Sequence, residues 1–125
     1  MTTRRILIVD DEDDIREVAQ VSLELVGQYE VLTASSGRDG LASARSERPD
    51  AILLDVMMPD MDGPATLAKL RADPVTADIP VVFLTAKTQS AERSRLAELG
   101  AAGILTKPFD PLKLASEVAA TLRWT

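Results

Sequence analysis

The stretch AILLDVMMPDMDGP (residues 51–64) runs four apolar residues into an aspartate, continues through a valine, two methionines and a proline, and breaks at Gly63-Pro64. A carboxylate at the end of so apolar a run is costly to bury without a partner. The run reads as a strand covered on both faces, and Asp55 as the residue it delivers to its own carboxyl end. What Asp55 meets there depends on the rest of the chain.

Four further apolar runs stand at fairly even spacing: RILIVD (5–10), YEVLTA (29–34), VVFLTA (81–86) and AGILTK (102–107). Together with 51–55, four of the five are nearly continuous Ile, Leu, Val and Phe, the pattern of strands buried on both faces. The second alternates more and reads as an edge strand. Helical patterns fill the intervals. Ile15, Val18, Ala19, Ser22, Leu23 and Val26 keep the i, i+3, i+4, i+7 spacing, with Asp13 and Asp14 suited to a first turn and Gly27 to the stop. Ser36 caps a helix to about Glu47, and Pro64 opens a third that Pro74 closes. A fourth runs from about Ser90 to Leu99 and stops at Gly100. Asp110 and Pro111 read as N-cap and first residue of a fifth, which buries Leu114, Ala115, Val118 and Leu122. Strict alternation of strand and helix predicts one three-layer, doubly wound α/β domain with a five-stranded parallel sheet and five helices.

The composition narrows the chemistry. The 125 residues suit one domain, and 46% hydrophobic with 27% charged residues is an ordinary globular balance. No apolar run approaches the roughly 20 residues of a membrane span, and no signal-peptide pattern follows Met1. Absence of cysteine removes thiolate metal sites and disulfides and fits a cytoplasmic location. Absence of histidine removes the usual general base and zinc ligand. A net charge of −6 and only four aromatic residues argue against nucleic-acid binding by this domain.

In an open parallel sheet, ligands bind at the carboxyl ends of the strands. Here the first strand ends at Asp10 and Asp11, with Glu12 next, the third at Asp55, the fourth at Thr85 and the fifth at Lys107. Each has an ordinary reading alone: the acids as turn or helix-capping residues, Thr85 as structural, Lys107 as solvated. Four such groups on one sheet edge make coincidence a poor account. Converging carboxylates repel by about 4 kcal/mol per pair at ~4 Å and an effective dielectric near 20. A hard divalent cation relieves this, and an all-oxygen set with few carboxylates suits Mg²⁺. A metal, a lysine and a threonine hydroxyl beside a carboxylate are the parts that bind a phosphoryl group, and the carboxylate can be its nucleophile. The run DDEDD lacks the glycine and distal glutamate of an EF-hand. Asp60 and Asp62 are given no chemistry, and Met57 and Met58 read as packing.

The motifs ILIVDDE, LLDVMMPDMDG, LTA and LTKPF, in this order, make nearly the whole chain resemble a response-regulator receiver domain of two-component signalling. The resemblance implies a flavodoxin-like strand order 2-1-3-4-5. It implies that Asp55 accepts a phosphoryl group from a sensor histidine kinase or histidine phosphotransfer protein. Mg²⁺, or Mn²⁺ in its place, is then held by Asp11, Asp55 and the backbone carbonyl of Met57, with Asp10 assisting through water. Thr85 bonds a phosphoryl oxygen and changes rotamer, Lys107 pairs with the phosphoryl group, and the Lys107–Pro108 peptide is cis. Pro59 and Gly63 shape the loop behind the acceptor, and Met57 and Lys87 flank the approach of water.

The chain departs from this pattern at Ile104, where the family often carries an aromatic residue that swings inward. A muted rearrangement of the fourth helix, fifth strand and fifth helix is therefore expected. Residues 1–125 read as one receiver with no output domain, either acting alone on a downstream protein or belonging to a longer chain. Homodimerisation through the last helices is left open. The implied activity is self-phosphorylation and self-dephosphorylation, not turnover of external substrates. Two rivals stand beside it. A small aspartate-nucleophile phosphatase would want an Asp-x-Asp pair and a cap. A receiver-like interaction module that is never phosphorylated would have no use for the full acid set.

Overall fold

A computed structural model describes residues 3–86 and 89–124. The elements alternate as β1 (Arg5–Val9), α1 (Asp13–Leu25), β2 (Glu30–Ala34), α2 (Gly37–Glu47), β3 (Ala51–Asp55), α3 (Gly63–Ala72), β4 (Val81–Thr85), α4 (Ser90–Ala97), β5 (Gly103–Thr106) and α5 (Leu114–Leu122). All four strand pairings are parallel and the order is β2-β1-β3-β4-β5, as expected.

Alternation along each strand divides the interior in two. Leu7, Val9, Ile52, Leu54 and Phe83 face one layer, where they meet Ala44 of α2, Leu67 and Leu70 of α3, and Leu96 of α4. Ile6, Ile8, Leu53, Val82 and Leu84 face the other and meet Ala19 and Leu23 of α1 with Leu114 and Val118 of α5. The continuous apolar runs are thus the price of a sheet with helices on both sides. The exception is β5, where only Leu105 is buried. As the sheet's second edge, β5 has a neighbouring strand on one side only.

The helix ends mostly follow the expected signals. Ser36 caps α2 by accepting a hydrogen bond from the Asp39 N–H at 3.1 Å. Asp62, assigned no role from sequence, caps α3 by accepting from the Ala65 N–H at 2.9 Å, with Pro64 in the first turn. The turn after α1 takes its left-handed residue at Gln28 (φ 58°), whereas Gly27 is needed for space, since a Cβ there would lie 2.6 Å from the Tyr29 ring. Two boundaries differ. The fourth helix ends at Ala97, short of Leu99. The fifth begins at Leu114, because Asp110 turns the chain first: its carboxylate accepts from the Leu112 N–H at 2.9 Å, and its carbonyl accepts from Lys113 and Leu114. Trp124 packs edge-on against Tyr29 at 5.6 Å beneath the Arg4 guanidinium. Among the described residues no helix is long and apolar enough to cross a membrane.

Candidate functional site

Strand register sets the site. Val9 pairs with Leu54, and Asp55 pairs with Leu84, so the strands that carry Asp10, Asp55 and Thr85 end side by side. Asp10 is held by its N–H to the Ala34 carbonyl at 3.1 Å and by the Glu12 N–H, which donates to its Oδ1 at 2.9 Å. Arg16, one turn into α1, donates to the Asp10 carbonyl at 2.8 Å. Asp10, Asp11 and Asp55 bring carboxylate oxygens within 4.8 Å of one another. Asp10 and Asp55 are buried and Asp11 is exposed, so the cluster opens to solvent on the Asp11 side.

Lys107 reaches the cluster from the end of β5. Its Nζ lies 2.9 Å from Asp10 Oδ2, 3.2 Å from Asp55 Oδ1 and 3.5 Å from Glu12 Oε1. Its backbone N–H donates to the Thr85 carbonyl at 2.8 Å, and the Lys107–Pro108 peptide is cis. Thr85 is 2% exposed and lies one residue past the partner of Asp55. Behind Asp55, the Gly63 N–H donates to the Val56 carbonyl at 2.8 Å, and a Cβ on Gly63 would stand 2.5 Å from the Asp55 carbonyl oxygen. Only glycine allows α3 to start this close to the end of β3. Met58 is packed as expected, but Met57 is 66% exposed, because its neighbour takes the core position. Lys87 lies outside the described residues.

Electrostatics confirm that the pocket is short of positive charge. Burial, and then the charge of Asp10, push the Asp55 carboxyl up to about 6 although Lys107 opposes them. Burial disfavours the Lys107 ammonium, but Asp10 and Asp55 together outweigh it and hold Lys107 above its ordinary value. Three carboxylates face one ammonium, and the buried Asp10 Oδ2 shares that ammonium with Asp55. This surplus of negative charge and the all-oxygen donor set fit a hard divalent cation. The sequence brought forward Asp10, Asp11, Asp55, Thr85 and Lys107, and all five stand at this sheet edge. It did not bring forward Arg16 or the supporting role of Glu12, whose contacts depend on how the first turn of α1 folds back.

A parallel five-stranded domain of this order, with an acidic pocket and a lysine at its carboxyl edge, defines a recognisable class. The profile of the response regulator receiver domain matches residues 6–119, and the chain belongs to that family. It is 42% identical over its full length to the phosphate regulon transcriptional regulatory protein PhoB of Pseudomonas aeruginosa, 54% of which is covered. It is 43% identical, over 97% of the chain and 50% of the relative, to the DNA-binding dual master transcriptional regulator RpaA of Synechocystis. The chain thus spans about half the length of these curated relatives. The chemotaxis response regulator CheY4 of Vibrio cholerae has the same fold, with a TM-score of 0.88 and 35% identity over 96% of this chain and 99% of that one.

Proposed function

We propose that the domain is a phosphorylation-controlled switch whose acceptor is Asp55. The observation that carries this reading is a buried carboxylate, held at a strand end against Lys107, with two further carboxylates within 4.8 Å. The phosphoryl group leaves a phosphohistidine nitrogen on a sensor kinase or phosphotransfer protein as a P–O bond forms to an Asp55 oxygen. The P–N electron pair stays with the imidazole, which takes up a proton. Lys107, already 3.2 Å from Asp55 Oδ1, stays to neutralise the phosphoryl oxygens. Thr85 donates its hydroxyl from the adjoining strand. Asp11, Asp55 and the Met57 carbonyl would hold Mg²⁺, with Asp10 acting through water, and the ion supplies further positive charge to the phosphoryl group; Mn²⁺ meets the same donors. Water attack on phosphorus returns phosphate and free Asp55, so the chain modifies only itself.

The partner surface is supported by position. Val18, Val21 and Leu25 of α1, Val26 just after it and Leu112 ahead of α5 leave an exposed apolar groove of about 400 Å³ on the layer that begins at the acidic pocket. Exposed apolar surface of this kind marks an interaction face, and we assign it to the phosphohistidine donor. The output is a cytoplasmic protein target or a further domain of a longer chain, as the transcriptional-regulator relatives suggest. The test is intact-mass measurement after incubation with Mg²⁺ and a small acyl phosphate. One added phosphoryl group is expected on the wild type and none on Asp55→Asn or without Mg²⁺. Equal labelling of both proteins would refute the assignment.

A further inference from the structure

The register of β4 on β5 pairs Phe83 with Ile104 and Thr85 with Thr106. Paired residues of parallel strands point to the same face, and alternation puts Thr85 and Thr106 on the side where Phe83 and Ile104 pack. That side is covered by α4, from which Arg93 donates an Nη1 hydrogen bond to Thr106 Oγ1 at 2.6 Å. A cation of α4 is thus bonded to the immediate neighbour of the threonine beside Asp55. The rest of the hold on α4 is slight. Leu96 is its only buried residue, and Gln89 provides no side-chain cap. An eight-residue helix with one core contact has little stability of its own, so a charged hydrogen bond to the sheet is a large part of what fixes its place.

We propose that Arg93 is a latch, holding α4 on β5 through Thr106 in the unphosphorylated state. The proposal rests on the reading of Asp55 as phosphoacceptor. When Asp55 carries a phosphoryl group, the Thr85 hydroxyl is drawn toward it and the packing beside Thr106 changes. A contact made in one state and weakened in the other biases the equilibrium toward the first. The latch therefore opposes phosphorylation, and it is a positioning device, not part of the reacting set. Its strength sets how much α4 answers the chemistry at Asp55.

The probe is beryllofluoride, a phosphoryl mimic, titrated with saturating Mg²⁺. Arg93→Ala and Thr106→Val should each bind it about five- to tenfold more tightly than wild type, the size expected when binding weakens one charged hydrogen bond without wholly breaking it. Thr106→Ser, which keeps the hydroxyl, should restore wild-type affinity. A merely structural contact would leave affinity unchanged or weaken it. Wild-type or weaker affinity in folded Arg93→Ala and Thr106→Val would overturn the latch while leaving Asp55 as acceptor. If the wild type bound no beryllofluoride at all, the acceptor reading would fall and the latch with it.

Discussion

Asp55 holds its proton up to about 6 even with the Lys107 ammonium 3.2 Å away. Its folded-state value lies above the ordinary aspartate value of 3.8, so between about 3.8 and 6 the folded protein keeps a proton that the unfolded chain gives up. Stability contributed by this residue is therefore full below that window and lost as pH rises through it. At neutral pH and without metal, Asp55→Asn removes a repelled charge and should stabilise the fold by about 1–2 kcal/mol, read by urea denaturation. The same variant should lose the downward slope of stability between pH 4 and 6, within the window set by the two values. An unchanged or lower denaturation midpoint would mean that the pocket is less strained than its geometry implies. Because a metal must displace that proton, Mg²⁺ affinity should fall about tenfold per pH unit below about 6, measured by titration calorimetry.

At the level of elements, Gly63 makes the clearest demand. A methyl group at that position would sit 2.5 Å from the Asp55 carbonyl and 2.8 Å from Val56 Cα, both backbone atoms that cannot step aside. Gly63→Ala should cost about 2 kcal/mol or more in thermal or urea unfolding and slow acyl-phosphate labelling of Asp55, whereas Gly100→Ala, strained at φ 91° but meeting nothing within 4 Å, should lower stability and leave labelling of the folded protein unchanged. The β-α order, both core faces and the strand-end acids were legible because each rests on local pattern: continuous apolar runs, helical spacing and polar residues at run ends. The start of α5 was not, since Asp110 and Pro111 resemble a helix opening, and the intervening turn shows only in the hydrogen bonds that Asp110 accepts from Leu112 and Lys113. Nor was the Arg93–Thr106 contact, which joins residues 13 apart through tertiary packing alone. With Ile104 half-buried against the core instead of an aromatic residue, amide exchange across residues 90–122 should gain little protection on adding beryllofluoride to the wild type, and any change should be a loosening of α4 as the Arg93–Thr106 bond weakens. Broad new protection there would count against that reading.

Across the whole molecule, the groove beside α1 and the pocket at the sheet edge should separate experimentally. Leu112→Asp, at a residue 77% exposed, should reduce phosphoryl transfer from a phosphohistidine protein about tenfold and leave labelling by a small acyl phosphate intact. Loss of both would indicate a damaged fold instead of a lost docking face. The fold assigns three carboxylates to one pocket, and only Asp55 ends a central strand beside both Thr85 and Lys107. The most direct measurement is therefore the position of the acyl phosphate itself: label with Mg²⁺ and a small acyl phosphate, trap with borohydride, and sequence the peptides by mass spectrometry. Modification confined to Asp55 is the predicted result. Modification at Asp10 or Asp11, or none anywhere in a folded protein, would contradict the account.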